Sequence, residues 1–297
     1  MSYSNFRPEV WSKILLTERD RECILRNLCY TGPYLGEIKK MGDTLHIAGI
    51  GRPTIRSYEE GTPPTRETLS DWVKTLDIDQ AKYFDFKVGD IDQTQAAGDI
   101  LGAQLIEARR AMAATIDDYL AGLYNAQVGI DEEEDPIYVQ TVSESAFNSA
   151  NAYSTITLAE EKLREGNVAS NMELSLVVHP KVYSKLQLAK IIYGRPNESV
   201  VDNGNVGSVL PFKVYVSNAI KVTQETVGED TVDHYHCLAM TKQAIAFAEQ
   251  IPPKSIEQFR DPDDFGTVIR GFSLYGATIL RPSDIVHLDL TLADEPE

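Results

Sequence analysis

Cysteine is nearly absent from this 297-residue chain, which carries only Cys23, Cys29 and Cys237. An odd, widely spaced set makes no disulfide framework and points to reduced thiols in a cytosolic setting. Long apolar runs are missing too. No stretch approaches the roughly 18 residues of a membrane span, and MSYSNFRPEVWSKILL lacks the basic-then-apolar order of a signal peptide. Positive charge is in deficit: 28 Lys and Arg against 45 Asp and Glu leave a net charge of −17. Nucleic-acid-binding modules carry a basic patch, so this balance argues against one and favours solubility at high concentration. It does not exclude a protein that works beside nucleic acid without adhering to it.

Catalytic signatures are also wanting. There is no Gly-x-x-x-x-Gly-Lys-Ser/Thr loop, no Gly-x-Gly-x-x-Gly after a strand, no Gly-x-Ser-x-Gly elbow, no His-Glu-x-x-His and no Cys-x-x-Cys. Asn203-Gly204-Asn205-Val206-Gly207 is glycine-rich, but without a Lys or a following helix it reads as a loop. The acidic run Asp131 to Asp135 neither alternates its ligands nor carries the central glycine of a calcium loop, and reads as a solvated turn. His234 and His236 share one strand face, a spacing that can bind a metal, yet no third ligand is evident and Asp233 points the other way. A polar sheet face is the better reading. His46, His179 and His287 are assigned structural roles. Cys23 and Cys29 are six residues apart and suit buried small residues better than nucleophiles. No catalytic, cofactor or metal site is therefore assigned.

What the chain does have is an ordinary globular supply of apolar (42%) and charged (25%) residues. A compact chain of this size buries about 75% of its unfolded surface. The organising stretch runs from Asp90 to Gln127. Ile100, Leu101, Leu105, Ala108, Met112, Ile116, Tyr119, Leu120 and Leu123 recur at three- and four-residue steps, the stripe of an amphipathic helix. Asp90 with Gln93 resembles a capping box and Gly129 a stop, which predicts a rod of roughly 50 Å.

Other elements are arranged around that rod. Residues 1 to about 35 read as an extended arm with a short helix. Residues 36 to 89 read as a long hairpin, with strands Gly42 to Ile50 and Trp72 to Val88 and a tip carrying Arg56, Glu59, Glu60, Arg66 and Glu67 around Gly61 and Pro63-Pro64. Such a hairpin is marginal alone and must lie on its own domain or on a neighbour. Helices are predicted at Thr155 to Gly166 and Val182 to Ile192, and strands at Leu174 to Val178, 209 to 217 and His234 to Met240. Tyr193 to Ser208 reads as a polar loop and Lys221 to Asp233 as a hairpin turning at Gly228. Three strands close the chain between Ser255 and Leu290. Without a βαβ rhythm, the class is α+β.

This order of arm, long hairpin, long helix, mixed segment and late strands resembles the major capsid (coat) proteins of tailed bacteriophages and prophages, with the Hong Kong 97-type fold. GEIKKMGDTLHIAGIGRPTIRSY, LDIDQAKYFDFKVGDIDQTQA, VLPFKVYVSN and VIRGFSLYGATILRPSDIVHL are similar in wording to such proteins. The resemblance implies an N-terminal arm (1–35), an extended loop reaching over a neighbour (36–89), a peripheral domain with the spine helix (90–154), an axial domain (155–250) and a return to the peripheral domain (251–297). It implies a structural protein that assembles as pentamers and hexamers into an icosahedral shell in the host bacterial cytoplasm. The shell would enclose double-stranded DNA without sequence-specific binding and engage no membrane. The subunit-interface candidates are then Arg56, Glu59, Glu60, Arg66, Glu67 and Trp72 in the loop, and Tyr193, Arg195, Asn197, Asn203 and Asn205 in the segment facing the symmetry axis. Fold elements begin within the first 40 residues, so a separate scaffolding protein is expected, together with a portal. Lys74, Lys82 and Lys87 lie in or beside the loop, but no partner Asn is identified and crosslinking is not predicted. The rival readings are an encapsulin-like compartment and a cytosolic enzyme with a scattered active site.

Overall fold

The computed structural model describes residues 24–32, 44–50, 53–57, 60, 63, 66–68, 71–90, 100–125, 139–190, 205–209, 211–227, 230–252 and 256–294. The apolar stripe produces helix α2, Ile100–Ala121. Met112, Ile116 and Leu120 are buried along it, followed by Leu123. The helix ends sooner than expected. At Gly122 the backbone N–H bonds Tyr119 O (3.1 Å) and a 3-10 turn, Leu123–Asn125, takes over. The turn tucks Leu123 into the core, a gain that straight helix would not give. Gln93, Gly129 and the acidic run at 131–135 lie outside the described residues. Asp90, expected as a cap, has its carboxylate held by both terminal nitrogens of Arg260.

Two sheets flank this helix. The smaller is built on the long strand β12, Gly266–Ile279, which pairs on one side with β3, Gln80–Gly89, and on the other with β10, Ile245–Ile251, and β11, Ile256–Arg260. The larger has the order β4 (Gln140–Phe147), β13 (Ile285–Leu292), β9 (Asp230–Thr241), β5 (Leu174–Val178), β7 (Phe212–Val216), β6 (Asn205–Val209), with β8 (Val222–Val227) paired to β9. Helices α3, Ala152–Glu165, and α4, Pro180–Leu188, accompany this larger sheet. Helix α4 starts two residues before its expected Val182 because Pro180 suits the first helical position and His179 Nδ1 accepts from Lys181 N (3.3 Å).

The remaining strands, β1 (Thr44–Ile50) and β2 (Asp71–Asp77), form the predicted hairpin. Its return strand is shorter than expected. The run Trp72 to Val88 breaks at Ile78-Asp79, and the second half, β3, leaves the hairpin to pair with β12. The cause lies in the partners. Leu76 and Ile78 are buried in a small cluster with Ile47, Ala246 and Ala248, whereas the alternating Phe84, Phe86 and Val88 face inward on the small sheet. Similarly, the single strand expected over 209–217 is the end of β6 and all of β7, antiparallel across a tight turn.

Strand pairing cuts across the boundaries expected at 154 and 250. β13 and β4 pair in the larger sheet, and β10 in the smaller one. The main core gathers Ile116, Leu120, Leu163, Leu176, Phe212, Leu238, Val286 and Leu288 between the larger sheet and its helices. The arm enters this core through α1, Leu25–Leu28: Ile24, Leu25 and Cys29 are buried, and Tyr30 bridges to Ala246. Cys237 is also buried, which pushes its thiol up to about 12 and leaves it unreactive. Cys23 lies outside the described residues.

Candidate assembly interface

Period-2 alternation gives the hairpin two unlike faces. Leu45 pairs with Leu76 and Ile47 with Lys74, and these point at the small cluster that roots the hairpin on β10 and β12. Lys74 lies along that root and donates from Nζ to Leu280 O (2.6 Å); burial lowers its affinity for a proton. The other face presents Ala48 opposite Val73 and Ile50 opposite Asp71. Val73 is 57% exposed and Ile50 82%. Both side chains stand in solvent on the face turned away from the root.

The tip is polar and clasped. Glu67 accepts from Thr54 N (3.0 Å) and Thr54 Oγ1 (2.9 Å), holding the two arms of the tip together. Arg56, Glu60, Arg66 and Glu67 are all exposed there, beside Ile55 at 90%. The backbone of Trp72 pairs with Gly49 in the hairpin ladder. Glu59 lies outside the described residues, as do Tyr193, Arg195, Asn197 and Asn203. Asn205 begins β6, the edge strand of the larger sheet, opposite Tyr215. The structure therefore brings the tip residues together and sets Asn205 on a different body.

The sequence reading missed a second surface on the outer face of the small sheet. β3 and β12 put Tyr83 opposite Phe272 and Asp85 opposite Arg270. Arg270 holds Asp85 through Nε and Nη2 (2.9 and 2.7 Å) and lies 5.3 Å from the Phe259 ring. A groove of about 380 Å³ beside them is lined by Ile251, Ile256, Glu257, Arg270 and Phe272. The alternation in KYFDFKV and RGFSLYG carries the signal of this face. At one end of this face the β11–β12 turn is fixed by Lys87 Nζ, which bonds Asp261 (2.8 Å) and Asp264 (2.5 Å). These bonds raise the Lys87 pKa and lower those of both carboxyls. Phe265 stands 78% exposed at the tip of that turn.

The histidines lie elsewhere, on the larger sheet. His236 and His287 share a hydrogen bond (3.0 Å) with the Tyr124 ring stacked over both, and His234 bonds Asp289 (2.9 Å). Among the described residues no group of His, Cys, Asp and Glu has the arrangement of a metal site.

No family model matches this chain and no curated protein matches it. Solved structures do. A structure of Mycobacterium phage Che8 superposes with a TM-score of 0.76 at 28% identity, over 97% of this chain and 98% of that one. The capsid structure of cyanophage P-SCSP1u gives 0.73 at 16% identity, and the mature capsid of bacteriophage PhiM1 gives 0.70 at 18%, each over 97% of this chain and 94% of the other.

Proposed function

We infer that this chain is a major capsid protein of the tailed-phage type, a structural protein with the Hong Kong 97-type fold. The observation that supports this is the superposition, over nearly the whole of each chain, on the Che8 phage structure and on the P-SCSP1u and PhiM1 capsids. The chain's place is the virion capsid, where it assembles with copies of itself.

The finer reading assigns roles to the bodies described above. The small sheet and α2 form the peripheral body. The larger sheet with α3 and α4 forms the axial body, whose copies meet as pentamers and hexamers around Asn205 and the segment before it. The β1–β2 hairpin lies across a neighbouring subunit, with Val73 and Ile50 making the apolar contact and Arg56, Glu60, Arg66 and Glu67 the polar rim. Many small contacts of this kind, repeated by symmetry, hold a shell together without one tight site. The net charge of −17 supports a wall that does not trap the packaged double-stranded DNA. A separate scaffolding protein and a portal complete the assembly, which takes place in the host bacterial cytoplasm.

Electron microscopy of the purified chain, alone and with a candidate scaffolding protein, tests the reading. Hollow shells of uniform size are expected. Shells that retain a co-purified enzyme would indicate an encapsulin-like compartment instead, and small closed oligomers under every condition would overturn the shell. The hairpin role has its own test. Because both side chains are exposed, Val73→Asp with Ile50→Asp should leave the melting temperature within about 1 °C while lowering the yield of shells about tenfold.

A further inference from the structure

We propose that the His236–His287 pair, covered by Tyr124, is an acid-released latch that fastens the end of α2 to the larger sheet. Two aromatic contacts tie the end of helix α2 to the two sheets. Tyr119 meets Tyr275 of the small sheet edge-on, with ring centroids 5.6 Å apart. Just beyond the helix, Tyr124 lies flat over His287 (4.2 Å) and His236 (4.8 Å) of the larger sheet. The second contact is the titratable one.

The proton count follows from the hydrogen bonds. His236 Nδ1 faces His287 Nε2 at 3.0 Å, His236 Nε2 meets Thr223 Oγ1 at 2.7 Å, and His287 Nδ1 meets Thr141 Oγ1 at 3.4 Å. With both rings neutral, one N–H between them and two threonine hydroxyls satisfy every ring nitrogen. A first added proton is tolerated, because one imidazolium still donates to the other ring. A second sets two N–H groups head to head across the same 3.0 Å. Charge on the rings calls for water, and the group excluding it from the ring faces is Tyr124.

The surroundings neutralise that charge only in part. Asp289 Oδ1 is 3.8 Å from His236 Nδ1 but is already engaged by His234 on β9. Glu225 on β8 faces His234 rather than the pair. Asp233 turns to Gln224, Tyr235 and Lys181. His234, on the same strand, adds repulsion that lowers His236 further, and Lys162 of α3 bonds the carbonyl of Thr141. Burial acts in the same sense, lowering His236 and bringing His287 down to about 4, with Asp289 opposing it only in part. Because the folded-state pKa is depressed, unfolding takes up protons. Stability from this group is complete above about pH 6.5, falls as the pH drops toward about 4, and levels off below that.

Hydrogen–deuterium exchange on the full chain, corrected for intrinsic rates, tests the latch at pH 7.5 and pH 5. Exchange in 119–125 and 285–290 should rise about fivefold or more at the lower pH, while β3 and β12 change little. In His287→Gln the pH difference should vanish. Should that variant misfold, the imidazole resonances of the native chain decide: the pair should take up one proton well below the ordinary histidine range. Independent titration of both rings near pH 6.5, or a uniform rise in exchange, would overturn the proposal.

Discussion

Replacing Gly276 with alanine unseats the hairpin and prevents shells from forming. The added carbon would lie 2.0 Å from the carbonyl oxygen of Asp77 and 2.9 Å from Ile78 Cα. Both are backbone atoms of the corner between β2 and β3, so no side chain can swing aside. Either β12 or the corner must move. The corner carries Leu76 and Ile78 into the cluster with Ile47, Ala246 and Ala248, and its displacement opens that cluster to water. Overpacking of this kind costs about 3 kcal/mol, which for a chain of this length is a fall of about 5 °C in melting temperature. Loss of assembly should be complete, since the hairpin leaves its root at the wrong angle. Gly122→Ala is the control: its carbon meets nothing closer than Tyr119 O at 3.4 Å, so its melting temperature and shell yield should match the native chain. Calorimetry and electron microscopy on both variants check this, and a Gly276→Ala chain that forms normal shells would refute the assigned root.

Asp117→Ala should be the most damaging change within α2. This carboxylate is fully buried and accepts from the backbone N–H groups of Ile24 (2.6 Å), Leu25 (3.2 Å) and Arg26 (3.1 Å). Those donors sit at the start of α1, where helix geometry supplies no internal acceptors and favours a negative charge. Removing the carboxylate leaves them in the interior at a cost of about 3–5 kcal/mol, or about 5–8 °C. Asp117→Asn keeps one acceptor oxygen and should lose about half as much. The damage should begin locally, with faster tryptic cleavage at Arg26, whose guanidinium otherwise pairs with Glu249 and lies over Phe247. Native-like melting and cleavage in Asp117→Ala would show that α1 is held by apolar packing alone.

Local signals were read well where burial was one-sided or complete. Leu174–Val178 is buried at every position and its bounds match those expected from the sequence, because a mostly apolar run between turn residues leaves few alternatives. The β8–β9 hairpin followed from its turn residues. Partner choice was not legible. β2 and β3 alternate with the same period, and nothing in that period says that one pairs with β1 and the other with β12. Asp117 left a trace, an acid beside Ile116 on the buried face of the helix, but its partners lie more than 90 residues away. His234 and His236 lie on one strand, as their spacing requires, yet the bond from His236 to His287 spans 51 residues and no spacing rule reaches it. Of the interface candidates, the hairpin tip follows from composition, while the small-sheet face depends on which alternate residues point outward, and that is settled only by pairing.

The position of β13 sets when the larger sheet can be completed. It lies between β4 and β9, pairing parallel with one and antiparallel with the other. Both strands it joins are synthesised before it, so the ribosome releases the link between β4 and β9 after either of them. Until then β4 has no strand partner among the described residues, and the apolar row Ile285, Val286, Leu288 and Leu290 is missing from the core. Pairings of such long sequence separation form slowly and leave edges exposed meanwhile. A nascent or truncated polypeptide that ends before β13 therefore lacks a finished larger sheet, and synthesis of that strand is what completes its core.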